Sequence, residues 1–111
     1  MRTKTLYSWE TRRYPVVVTA DADPTADAVE FGVVLVDAAD NDPAAWVAGS
    51  WNTTYNAATK QTEAYTCTFG TADSVAAPDI TLVEGSTYRV YARTRNASDV
   101  PGALVAVLAV T

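Results

Sequence analysis

From Leu82 to Asn96 the chain alternates with a period of two. Tyr88, Val90, Ala92 and Thr94 fall on one side of an extended strand, and Thr87, Arg89, Tyr91, Arg93 and Arg95 on the other. A turn at Glu84-Gly85-Ser86 feeds this strand. Shorter stretches of the same kind precede it. Residues 3–9 carry Leu6, Tyr7 and Trp9, and Arg12 to Ala20 carries Tyr14, Val16, Val17 and Val18. Pro15 lacks a donor and is expected at an edge or near a strand start. Ala28 to Val36 places Val29, Phe31, Val33 and Leu35 on one face. Val34 and Val36 share the other, so this strand is expected to be central or covered.

Ala44 to Asn52 reads as a further strand, with Trp46 and Trp51 on opposite faces. One of them can enter the core, and the other belongs to a surface or to a partner. Thr53 to Thr62 reads as a hairpin connection. Glu63 to Phe69 reads as a strand with Tyr65, Cys67 and Phe69 inward. Gly70 to Asp79 reads as a loop, and Asn96 to Gly102 as a turn. Ala103 to Val110 closes the chain. Ala and Leu there favour helix, but Val105, Val107, Val110 and the preceding Pro101-Gly102 argue for a strand. About seven short strands separated by turn residues predict one all-β domain over residues 1–111, an antiparallel β-sandwich.

Charge narrows the functional classes. The net charge of −5 opposes general nucleic-acid binding, which needs a basic surface. Residues 1–14 are mostly basic, whereas residues 15–59 hold seven acidic residues and no Lys or Arg. If the fold separates these segments, it has a basic and an acidic end. Otherwise the carboxylates simply solvate loops. No apolar leader follows Met1, and Ala103–Val110 is too short to cross a bilayer as a helix. The expectation is a chain made in a cytoplasm, without a membrane partner.

The chain has no His and a single Cys, Cys67. This removes the commonest general base, an intrachain disulfide and a thiolate metal site. No phosphate loop or nucleophile elbow is present, and no carboxylate pair is singled out by spacing. The reading is a non-enzyme without a cofactor. The aspartates of 21–27 and 37–42 offer oxygens to calcium, although turn aspartates bonding their own backbone explain them more simply.

Two places stand out as contact surfaces. Arg89, Tyr91, Arg93 and Arg95 make a face of residue types common at binding hot spots, or one paired with carboxylates across strands. The terminal strand is apolar on both faces, Leu104 and Leu108 on one. It is either covered within the fold or used as a subunit interface. Trp46 and Trp51 join the candidate partner-binding residues.

The segment Leu82-x-x-Gly85-Ser86-x-Tyr88-x-Val90-x-Ala92 resembles the tyrosine corner of fibronectin type III and other Ig-like domains, with Glu84 in place of the usual proline. A wider likeness runs through Arg13–Val18, Val29-Glu30-Phe31, Pro43-x-x-Trp46-x-x-x-x-Trp51 and Gly85 to Thr94, then Val100-Pro101-Gly102. It resembles the small Ig-like virion proteins of tailed bacteriophages of actinobacteria. The resemblance implies a virion component on the capsid surface, at the head-to-tail joint or on the tail. It also implies capsid, connector or tail proteins as partners, and assembly in multiple copies. The alternative is a carbohydrate-binding sandwich using Trp9, Trp46, Trp51, Tyr55 and Tyr65 as a platform.

Overall fold

The computed structural model describes residues 3–39, 42–95 and 103–111, and of Arg95 the backbone alone. These residues are all-β and contain no helix. In chain order the strands are β1 (Thr3–Leu6), β2 (Thr11–Arg12), β3 (Pro15–Thr19), β4 (Ala28–Leu35), β5 (Val47–Ala48) and β6 (Ser50–Trp51). They continue with β7 (Gln61–Tyr65), β8 (Phe69–Thr71), β9 (Ile80–Leu82), β10 (Thr87–Arg95) and β11 (Ala103–Val110).

A five-stranded sheet has the order β1-β11-β10-β4-β5, and a three-stranded sheet the order β3-β7-β6. All pairs in them are antiparallel except β1 with β11. A small third sheet joins β2, β8 and β9. Side chains from both larger sheets meet in one buried cluster, an arrangement compatible with a β-sandwich. Val16 and Ala64 come from the smaller sheet. Leu6, Val29, Phe31, Val90, Ala106 and Leu108 come from the larger. Each fully buried Leu, Val or Phe contributes about 1.5–3 kcal/mol by leaving water.

The two-residue period of β10 translates directly into burial. Tyr88, Val90, Ala92 and Thr94 are all buried, and β4 and β11 flank the strand on either side. The Tyr88 phenol oxygen accepts a hydrogen bond of 3.0 Å from the Val83 N–H, tying the turn to the strand. β3 begins at Pro15 and lies at a sheet edge, where a missing donor costs nothing. β11 is a strand between two neighbours, and its Ala106, Leu108 and Val110 face the core. Cys67 is buried, and burial pushes its thiol pKa up to about 12.

Three expectations need correction. The strand expected over Ala44–Asn52 is two short ones. β5 pairs with β4, β6 pairs with β7, and the chain changes sheets at Gly49 between them. A β-carbon on Gly49 would run into the Phe31 ring and the Tyr65 carbonyl, so only glycine fits the crossing. The strand expected over Glu63–Phe69 also breaks. Thr66 N–H still donates to the Tyr14 carbonyl (2.9 Å), but its Oγ1 takes the Tyr14 N–H (2.9 Å) and donates to the Cys67 carbonyl (2.8 Å), and the ladder stops there. Inward positions on β7 are therefore Thr62 and Ala64, while Tyr65 turns out beneath Arg13. Because strands divide at such breaks, the described residues form eleven segments where about seven strands were expected.

Charge is not sorted into two ends either. The acidic turn around Asp21–Asp27 precedes β4 and Asp37 follows it, so the eight residues of β4 hold the two turns apart. In the first turn Asp23 accepts from the Thr25 N–H and hydroxyl, which holds its carboxyl pKa below the ordinary value. The expected Asn96–Gly102 turn lies outside the described residues.

Candidate interaction surfaces

β10 turns Arg89, Tyr91 and Arg93 to the outer face of the five-stranded sheet, where β4 contributes Glu30, Gly32 and Val34 opposite them. This face is covered in part by the chain's own connection between β4 and β5. Pro43 is buried over Gly32, so close that a β-carbon there would come within 2.5 Å of the proline ring. Arg89 donates to the carbonyls of Leu35 (3.3 Å) and Ala38 (3.0 Å), fixing the start of that connection. Arg93 Nε donates to Glu30 Oε1 at 2.9 Å, and its guanidinium lies 4.3 Å from the centre of the Trp46 ring. Both arginines thus hold the fold together through cross-strand and loop contacts. Tyr91 is half-buried beside them, and the Arg95 side chain lies outside the described residues.

The tryptophans separate, but through the change of sheet at Gly49 and not through parity along one strand. Trp46 lies on this outer face under Arg93. Trp51 packs against the core, and its indole N–H donates to the Asp27 carbonyl at 2.8 Å. On β11, Leu104 is partly exposed, but Leu108 is only 1% exposed and belongs to the core, so it offers nothing to a partner.

The aromatic residues considered as a sugar platform are dispersed. Tyr55 donates from its hydroxyl to the Ala20 carbonyl (2.5 Å), Tyr65 sits under Arg13 at 5.3 Å, and Trp9 stacks on Tyr7 with ring centres 4.9 Å apart. An open groove of about 340 Å³ beside β3 is lined by Val17, Thr53, Thr54, Asn56, Gln61, Thr62 and Glu63, without an aromatic wall.

A surface missed by the strand pattern appears at one end of the sheets. Six large apolar side chains are exposed there: Tyr7, Trp9, Leu35, Val36, Val75 and Val83, with Val75 94%, Val83 64% and Trp9 63% exposed. They stand at the end of β4 and on loops that backbone and side-chain bonds knit together. Ser8 N–H donates to the Thr111 carbonyl (2.9 Å), Gly85 N–H to Val110 (2.8 Å) and Val36 N–H to Thr87 (2.9 Å). Thr71 Oγ1 donates to the Ser8 carbonyl (2.6 Å) and Ser74 Oγ to that of Glu10 (2.9 Å). Of the other exposed large apolar residues, Val17 lies on β3 and Leu104 near the far end of β11. The only signal in the sequence was a large apolar residue inside turn-rich segments, at Val75 and Val83.

Comparison with protein-family profiles, with curated proteins and with solved structures found no match.

Proposed function

We propose that the chain is an Ig-like, fibronectin III-like sandwich that works as a non-enzymatic docking module. Its place would be in the particle of a tailed bacteriophage, on the capsid or along the head-to-tail and tail assembly. It would be made in the host cytoplasm and incorporated in multiple copies. The Ig-like part is supported by the strand order, with β1 parallel to the terminal strand, and by the Tyr88 bond to the Val83 backbone. The docking part is carried by one observation: six large apolar side chains gathered at one end outside the core. Exposed apolar groups in one place mark contact sites, because water is released when a partner covers them. The phage setting rests on the segments that resemble such virion proteins, from Arg13–Val18 to Gly85–Thr94. Particles purified from a lysate of the encoding phage should contain the chain at a fixed ratio to the major capsid protein by mass spectrometry. Its absence from the particles contradicts the virion role.

A further inference from the structure

We infer that the apolar end is the docking site itself, and that its partner is a different protein offering large apolar side chains bordered by Lys or Arg. The inference rests on the docking role proposed above and narrows it to one surface and one chemistry.

The chemistry follows from what borders each apolar group. Glu10 follows Trp9, Asp37 follows Val36, Glu84 follows Val83, and Asp73 stands two residues before Val75. The carboxylates of Asp37, Asp73 and Glu84 are exposed and make no hydrogen bond or ion pair among the described residues. The nearby arginines among the described residues are engaged. Arg12 pairs with Glu10 at 3.8 Å, Arg13 lies over Tyr65, and Arg89 bonds the Leu35 and Ala38 carbonyls. The end therefore presents apolar groups interleaved with uncommitted negative charge. Complementarity asks for a partner with positive groups around an apolar centre.

The same charges argue against other occupants. A second copy placed end to end would set Asp37, Asp73 and Glu84 against their own equivalents. Like charges then face each other, and this opposes association. At the opposite end, which a head-to-tail copy would present, Lys60 is already paired with Asp21 at 3.5 Å and Asp23 is bonded by Thr25, so among the described side chains that end offers no uncommitted cation to Asp37, Asp73 and Glu84. Anionic lipid and nucleic acid are disfavoured for the same reason.

The test uses the full chain, immobilised and offered a displayed library of random short peptides. Selected peptides should carry Lys or Arg beside large apolar residues, and their binding should weaken with salt. Trp9→Ser and Val83→Ser should each raise Kd by about tenfold or more. Val17→Ser, a change at an exposed residue elsewhere, should leave it unaltered. All three residues are exposed, so the variants should keep the melting temperature of the wild type. Three results overturn the inference: no enrichment of basic apolar peptides, equal binding by the variants, or a wild-type dimer that Val83→Ser abolishes. A chain absent from phage particles would remove the virion role and leave this result untouched. Equal peptide binding by the variants would remove the apolar end and leave the docking role open.

Discussion

Arg93 shows how one side chain serves two neighbours at once. Its guanidinium donates to the buried Glu30, covers the Trp46 ring and so pins the connection that crosses the sheet. Read from sequence, Arg89 and Arg93 were open to a partner or to cross-strand pairing. The structure pairs Arg93 with Glu30, which stands directly opposite it in the register, and gives Arg89 to the carbonyls of Leu35 and Ala38. Arg93→Ala should lower stability by about 1–3 kcal/mol, the worth of a hydrogen bond to a charged group plus lost packing, read as a fall in melting temperature. Two further residues make the fold sensitive to alkali. Burial raises the Tyr14 phenol from 10.0 to about 12, against a smaller opposing pull from Arg12, and raises the Cys67 thiol from 9.0 to about 12. In each case the folded state holds its proton to higher pH than the unfolded chain does. Their contribution is complete below about pH 9 and is lost as pH rises to about 12. Melting temperature should therefore start to fall near pH 9, and Cys67→Ala should delay that onset towards pH 10, where Tyr14 takes over.

Strands announce themselves by alternation, and β10 was legible for that reason: its Tyr88, Val90, Ala92 and Thr94 are all buried. β4 and β11 were recognised as strands, but apolar residues on both of their faces left alternation unable to choose the buried one, and the β11 face named for a partner holds Leu108 in the core. The short elements were not legible, because what ends them is not a pattern. Thr66 ends β7 with side-chain bonds to residues at each side of it, one of them Tyr14 from a distant part of the chain. Gly49 looked like an ordinary glycine within a strand, although it is where the chain leaves one sheet for the other. Its N–H still donates to the Val29 carbonyl at 2.9 Å, so the crossing is held as well as crowded. Gly49→Ala should cost about 1–3 kcal/mol by overpacking against Phe31 and the Tyr65 backbone, seen as a lower denaturation midpoint.

As a whole the molecule spends its core on one cluster and still leaves large apolar groups outside it. Their gathering was hidden in the sequence because they come from segments remote from one another, Tyr7 and Trp9 after β1, Leu35 and Val36 at the end of β4, and Val75 and Val83 on loops. Only the closing of β1 against β11, and of β4 against β10, brings the loops to one end. The candidates named from strand pattern, Arg89, Arg93, Trp51 and Leu108, are instead used to hold the fold. Hydroxyl-radical footprinting, applied to the free chain and to the chain in purified particles, tests docking through this end most directly. Trp9, Val75 and Val83 should be oxidised readily in the free chain and protected on assembly, with Val17 labelled equally in both. Equal labelling of Trp9, Val75 and Val83 in the two states would contradict the account.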